Sequence, residues 1–153
     1  MRHVHTQLFS YSVINFAYVA DFPPFSSVQV SGCEGEVKRC PFVKGTNVSM
    51  NATFTSILMN FYQKAVESKN VTVSVWGKLR ILRIKTPFPI SPSSGCLYGI
   101  DCPVTTNSTN TFRIQMPIRS IYPSVDVEVG IELYGDNDSH IACVTFPATI
   151  VSN

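Results

Sequence analysis

Alternation of apolar and polar side chains with a period of two residues is the feature that most constrains the fold of this chain. In the segment VSMNATFT, Val48, Met50, Ala52 and Phe54 fall on one side of an extended backbone, and polar residues fall on the other. A half-buried antiparallel strand has this period, whereas a helix repeats every 3.6 residues. Strands are therefore predicted here and in segments with the same pattern: 71–75, 112–118, 125–133 and about 141–151.

Turn-forming residues separate these segments at Lys44-Gly45, in the Pro/Ser/Gly-rich stretch 87–95, and at 107–110 and 135–138. About seven strands with turns at this spacing predict an all-β fold, an immunoglobulin-like two-sheet sandwich. Residues 56–68 are the one stretch compatible with a helical turn. The length of 153 residues suits a single domain with one core.

The cysteines form two close pairs, which favour two short disulfide loops in an oxidising compartment: Cys33 with Cys40, and Cys96 with Cys102. A zinc site is excluded because neither pair has the C-x₂-C spacing and the histidines lie near a terminus or in a turn. No metal is therefore expected. Cys143 is left over, and we predict that it is a free thiol.

The Asn-x-Ser/Thr acceptor for N-glycosylation occurs five times, at Asn47, Asn51, Asn70, Asn107 and Asn137. Charged residues make up only 14% of the chain, against about a quarter in typical domains, so glycans would explain its solubility. The sequons and cysteines together predict a secreted or lumenal protein. The moderately apolar run from Leu8 to Ala20 leaves two interpretations open, a signal peptide or an ordinary segment.

Catalytic motifs are missing from the sequence, and no catalytic residue or cofactor is assigned. Asp126, Glu128 and Glu132 share one strand face and are interpreted as a solvated surface rather than an acid–base pair. A nucleophilic role for Cys143 would need a neighbouring base, for which the few histidines are poor candidates. A net charge of +2 with scattered Lys and Arg excludes a nucleic-acid partner.

Large apolar residues are abundant on the inward faces, and Phe54, Phe112, Ile114 and Met116 are candidates to contact a ligand. Patterning by itself favours an ordinary closed core. It does not distinguish a closed core from two sheets held apart around a guest molecule.

Seven local strings resemble the ML lipid-recognition domain family, most closely its lysosomal cholesterol-carrying branch. They run in order over residues 28–152: VSGC at 30–33, CPFVKG at 40–45, NATFTS at 51–56, PFPI at 87–90, GCLYGIDCP at 95–103, MPIRSIYPSV at 116–125 and CVTFPATIVS at 143–152.

The resemblance implies a sandwich held slightly open around a cavity for a sterol or an acyl chain. Phe88, Ile118 and Tyr122 match the pocket-lining positions of the family, and Asn51 matches a glycosylated position. The implied function is that of a monomeric, non-enzymatic lipid carrier, secreted or lysosomal, which exchanges its ligand with membranes or a receptor. Two alternatives are open: a lipid-recognition co-receptor in innate immunity or chemical signalling, and an adhesion-type immunoglobulin domain with a closed core.

Two departures from the family pattern stand out. The family normally has a cysteine on the first strand, bonded to the cysteine of the last strand, but its expected place near Tyr18 holds no cysteine. We therefore divide the chain into an atypical segment, 1–27, which is a signal peptide, an alternative start or a gene-model error, and an ML domain, 28–153. The segment 1–27 is expected to add little to the packed sandwich.

The second departure is the segment WGKLRILRIKTPFPI, which carries Lys78, Arg80, Arg83 and Lys85 among apolar residues. In the family this region lies near the cavity mouth. Basic and apolar residues at a mouth suit docking on an anionic membrane, whereas charges on an edge strand also prevent aggregation. Both interpretations are open.

Overall fold

The structure is a computed structural model that describes residues 25–34, 37–56 and 67–153, together with the backbone of two strands before them. This part of the chain contains ten strands, two 3-10 turns at Gly95–Leu97 and Asp136–Asp138, and no α-helix. In chain order the strands are β1 (Val4–Leu8), β2 (Asn15–Val19), β3 (Ser27–Val30), β4 (Cys40–Val43), β5 (Asn47–Thr55), β6 (Thr72–Leu79), β7 (Lys85–Phe88), β8 (Thr109–Pro117), β9 (Asp126–Tyr134) and β10 (His140–Val151).

The strands form two sheets that face each other across one apolar core, which confirms the predicted all-β sandwich. The larger sheet has the order β1-β2-β10-β9-β6-β7, and β4 pairs in parallel with the second half of β10. The smaller sheet has the order β3-β5-β8. All the other pairs are antiparallel.

The predicted period of two is confirmed in the buried faces of both sheets. Val48, Met50, Ala52 and Phe54 of β5 are all buried, and the intervening side chains are exposed or half-buried. Their buried partners on the neighbouring and facing strands are Phe112, Ile114 and Met116 of β8, Val73 and Val75 of β6, and Val127, Val129, Ile131 and Leu133 of β9.

The segment before residue 28 contributes backbone to the larger sheet, because β2 pairs with β10 through Ala17 and Thr145. Phe25 is buried, and its ring meets that of Phe54 edge to face at 6.0 Å between centroids. Phe25 thus belongs to the core although it precedes the expected boundary. The division at residue 27 otherwise stays a prediction. Most of the expected helical turn at 56–68 lies outside the described residues.

The outer face of the larger sheet differs from the expectation of a solvated surface. Trp76 alternates with the inward-facing Val73 and Val75 but is only 4% exposed, and Glu132, which was expected on the solvated surface, is also buried. Trp76 Nε1 donates to Glu132 Oε1 at 3.1 Å, and the Tyr134 hydroxyl donates to Oε2 at 2.6 Å. These hydrogen bonds compensate the carboxylate for lost water, so Glu132 is a structural residue of this face.

Gly130 makes room for the indole ring. It stands opposite Trp76 in the β6–β9 pair, and a Cβ atom built at Gly130 would overlap the ring of Trp76. The conformation of Gly130 is ordinary for a strand, so the requirement for glycine here is steric.

We expect Gly130→Ala to lower the free energy of unfolding by about 1–3 kcal/mol, because the added methyl group must displace the buried indole. Urea denaturation followed by tryptophan fluorescence measures the change. Glu128→Ala is the matched control, since Glu128 is exposed on the same strand and face. Equal stability of the two variants would contradict this account of Trp76.

Candidate functional site

A cavity of about 290 Å³ lies between the sheets at the end where β6 finishes and β9 starts. Its lining is almost entirely apolar. The contributing residues come from six strands and two loops: Phe42, Val75, Trp76, Gly77, Leu79, Thr86, Pro87, Phe88, Pro89, Met116, Ile118, Tyr122, Pro123, Val125, Val127, Val129 and Ile150.

The position of Ile118 is set by backbone hydrogen bonds to the turn between β4 and β5. The Ile118 N–H donates to the carbonyl oxygen of Thr46 at 2.8 Å, and the Gly45 N–H donates to the carbonyl oxygen of Ile118 at 2.6 Å. Gly45 has a φ of +81°, a conformation that glycine adopts without strain. The turn therefore extends the register of β8 by one residue and directs Ile118 inward.

Phe88 and Tyr122 form the rim of the cavity. Their rings meet edge to face with centroids 5.9 Å apart, and both side chains are half-buried. Phe88 ends β7 opposite Val75, and Pro87 and Pro89 on either side restrict its backbone. The rim is thus an aromatic pair held between a strand end and a loop.

The structure brings four of the seven predicted ligand-contacting residues to this cavity: Phe88, Ile118, Tyr122 and Met116. Phe54, Phe112 and Ile114 are buried but do not line it. At the opposite end the sheets close, so that Phe54 packs on Phe25 and Phe112 packs on Tyr98 at 6.1 Å between centroids. Strand parity identifies inward side chains without showing at which end the sheets separate.

Several residues that line the cavity were not predicted from the sequence to contact a ligand, although the alternation pattern places their side chains on the inward faces of the strands. Val75, Val127 and Val129 occupy inward positions of strands that the alternation predicts. Phe42 and Ile150 complete the wall from β4 and β10, which are paired through Phe42 and Ile150 themselves. The parallel pairing of β4 with β10 is a tertiary contact, and no local pattern signals it.

Apolar side chains surround the cavity mouth on its outside. The β6–β7 hairpin tip, which we define as residues 80–84, exposes Ile81 (92% exposed), Leu82 and Ile84 to solvent. Ile121 in the β8–β9 loop is 83% exposed. Among the described residues, the remaining exposed large hydrophobic side chain is Leu97, which lies near the start of β6 at the opposite end.

The four basic residues predicted for membrane docking occupy two different surfaces. Arg80 and Arg83 are exposed in the hairpin tip, where the Arg83 N–H donates to the carbonyl oxygen of Leu79 at 3.0 Å. Lys85 Nζ lies 4.3 Å from the centroid of the Trp76 ring, and Lys78 is paired in register with Glu128. Of the four basic residues, Arg80 and Arg83 are therefore the two that lie in the hairpin tip beside the cavity mouth.

The two predicted disulfides are present. Cys33 is bonded to Cys40 and Cys96 to Cys102, with Cα–Cα distances of 5.1 and 5.7 Å. Cys143 is buried and takes part in no disulfide with the described cysteines. Burial, followed by the nearby Glu132 carboxylate, raises the pKa of the Cys143 thiol to about 12. The thiol is therefore neutral at physiological pH and unsuited to nucleophilic chemistry.

All five predicted glycosylation sites, at Asn47, Asn51, Asn70, Asn107 and Asn137, are exposed to solvent. The last three lie at the end of the sandwich away from the cavity mouth, next to the start of β6, the start of β8 and the end of β9. Modification at each remains a prediction. No helix in the described ranges is long and apolar enough to cross a membrane.

Comparison with known proteins gives one consistent result. A family model described as the ML domain matches residues 17–150, and so begins before the boundary expected at 28. The chain is 35% identical over 111 residues to NPC intracellular cholesterol transporter 2 of Canis lupus familiaris, covering 72% of this chain and 68% of that protein. Identity to the Mus musculus protein of the same name is 33% over 125 residues, covering 82% and 76%.

A solved structure of a Niemann-Pick type C2 protein from the Japanese carpenter ant superposes with a TM-score of 0.72. It covers 96% of this chain and 99% of its own, at 22% sequence identity. This likeness shows a shared fold.

The contrast between the open and closed ends predicts different costs for removing two phenylalanine rings. Phe112→Ala should lower the free energy of unfolding by about 3–5 kcal/mol, because Phe112 is fully buried in a filled core. Phe88→Ala should cost less, because Phe88 faces space that is already empty. Thermal and urea unfolding of both variants measures the difference, and a Phe88→Ala variant that loses as much stability as Phe112→Ala would contradict the open-cavity geometry.

Proposed function

Because this chain belongs to the ML domain family, we propose that it is a non-enzymatic lipid carrier that binds a sterol-like molecule between its sheets and transfers it to a membrane or a receptor. The observation that carries the proposal is the apolar cavity with its aromatic rim at one end of the sandwich. The names of the two mammalian relatives, which describe cholesterol transporters, support the sterol as the ligand class.

The chemistry of the lining supports binding through burial of apolar surface. Each Å² of apolar ligand surface removed from water contributes about 25 cal/mol, before the costs of association are subtracted. A lining of Val, Ile, Met and Phe side chains offers few hydrogen-bonding groups, so shape and apolar area would decide what enters. This supports a rigid or extended hydrocarbon as the cargo.

The hairpin tip and Ile121 support transfer by docking of the mouth on a membrane. Ile81, Leu82 and Ile84 are exposed beside the cavity, and Arg83 adds a cation among them. Apolar side chains enter the headgroup region of a bilayer while basic side chains contact anionic lipids. Docking in this orientation would put the cavity mouth against the acyl chains, so that the cargo need not cross water.

Secretion or residence in the lysosomal lumen accords with the two disulfides and with the exposure of all five sequons. In such a compartment the carrier would act as a monomer, loading from one membrane and unloading at another or at a receptor. A co-receptor would instead hold its lipid and copurify with a protein partner, which distinguishes the two functions.

We expect Ile118→Asp to abolish binding of a fluorescent sterol, because a carboxylate in the apolar cavity opposes burial of the ligand. Gln115→Asp is the matched control, since Gln115 is exposed on β8, the strand that Ile118 directly follows. Phe88→Ala should also weaken binding, and it provides a second test of the cavity if Ile118→Asp does not fold. Titration of purified proteins measures affinity, and wild-type protein that binds no sterol or other lipid would defeat the carrier function.

We expect Ile84→Asp to slow transfer of sterol between anionic vesicles while leaving sterol affinity in solution unchanged, because Ile84 is exposed in the hairpin tip and lies outside the cavity lining. The substitution puts a negative charge where apolar insertion is proposed. Leu97→Asp is the matched control, because Leu97 is an exposed apolar residue at the other end of the molecule. Transfer is followed by energy transfer from a fluorescent sterol. Equal rates for the two variants would show that the hairpin tip does not dock.

A further inference from the structure

The sequon at Asn47 differs from the other four in its position along the sandwich. Asn47 is the first residue of β5 and pairs with Pro117, the last residue of β8. The residue after Pro117 is Ile118, which lines the cavity. Three of the other sequons lie at the closed end, and the fourth, Asn51, is in the middle of β5. Of the five predicted attachment sites, Asn47 alone is therefore at the level of the cavity mouth.

The backbone around Asn47 is fixed by hydrogen bonds to the strands of the mouth. Asn47 itself is exposed, on the face of β5 opposite to the buried side chains. In the turn before it, the Lys44 N–H donates to the carbonyl oxygen of Val151 at 2.9 Å. The carbonyl oxygen of Thr46 accepts from the Ile118 N–H at 2.8 Å. The attachment point is thus held beside the mouth by the chain at the ends of β8 and β10.

The same turn lies against the loop that carries Ile121, one of the apolar side chains proposed to dock on membranes. A Cβ atom built at Gly45 would lie 4.0 Å from Ser120 Oγ, and Ile121 is the next residue after Ser120. Apolar groups that bind at a membrane interface sink about 5–10 Å into the boundary between headgroups and acyl chains. Insertion of Ile121 therefore draws the loop, the turn beside it and Asn47 to the membrane surface.

We propose that N-glycosylation of Asn47 is an inhibitory modification, which slows transfer of the cargo to membranes without changing how tightly the cargo is bound. An N-glycan is bulky and hydrophilic, and at Asn47 it occupies space that lipid headgroups take when the mouth docks. Asn47 does not line the cavity, so the contacts between cavity and ligand stay the same. The inference rests on the proposed transfer by membrane docking and adds a means of regulating it.

Two variants remove this glycan in different ways. Asn47→Gln replaces the acceptor, whereas Ser49→Ala keeps Asn47 and removes the hydroxyl that completes the sequon. The hydrogen bonds between Ser49 and Ser31 use the backbone of Ser49, so alanine retains them.

The measurement is transfer of a fluorescent sterol to vesicles of phosphatidylcholine and phosphatidylserine, with protein made in the secretory pathway of cultured cells. Both variants should transfer sterol several-fold faster than wild-type protein and bind it in solution with unchanged affinity. Mass spectrometry of the peptide that contains Asn47 measures how much of each protein carries the sugar.

Two controls assign the effect to the sugar and to its position. Asn51→Gln is the matched variant, because Asn51 is exposed on the same face of β5, four residues or about 13 Å farther from the mouth. It should transfer sterol at the wild-type rate. Wild-type and Asn47→Gln proteins made in cells that attach no N-glycans should transfer sterol at equal rates.

The outcomes separate this inference from the function on which it rests. Wild-type protein without a glycan at Asn47, or Asn47→Gln and Ser49→Ala proteins that are no faster than wild type, would overturn the inhibitory modification and leave the carrier function standing. Asn51→Gln protein as fast as Asn47→Gln, or a difference that persists without any glycans, would also overturn it. Wild-type protein that binds no sterol or other lipid would overturn both.

Discussion

The packing of the two sheets at their closed end is the contact on which the rest of the molecule depends. Phe54 and Phe112 fill the space between β5, β8 and the larger sheet. The ring of Phe25 packs against Phe54, and the ring of Tyr98 packs against Phe112. A cavity contributes no dispersion contacts of its own, so the free energy that keeps the sheets together must come from elsewhere. Close packing at one end allows the sheets to stay apart at the other.

The sequence predicts the fold well because the apolar alternation is local information. The strands around Met50, Ile114 and Val129 follow from parity, and the two disulfides follow from spacing along the chain. The outer face of the larger sheet was predicted less well. Whether Trp76 is solvated depends on its neighbour across the strand pair, Gly130, which lies far away in the sequence.

The candidate site was predicted in part, and the missing part has a geometric cause. The rim residues Phe88 and Tyr122 were named from the family resemblance, since periodicity assigns them no special place. Parity placed Ile114 and Met116 on the same inward face, although Met116 alone of the two lines the cavity. Ile114 and Met116 are separated by one two-residue repeat of β8. Which of them reaches the cavity depends on how far the larger sheet lies from β8 at each of these two positions.

The position of three sequons at the closed end has a kinetic consequence. Asn70, Asn107 and Asn137 cluster at the pole opposite the hairpin tip. Association of a protein with a surface is slowed mainly by the small fraction of collisions that occur in the right orientation. A glycan attached at that pole would make collisions through the closed end brief and unproductive. Under the proposed membrane transfer, sugars at that pole would raise the share of collisions in which the mouth faces the bilayer.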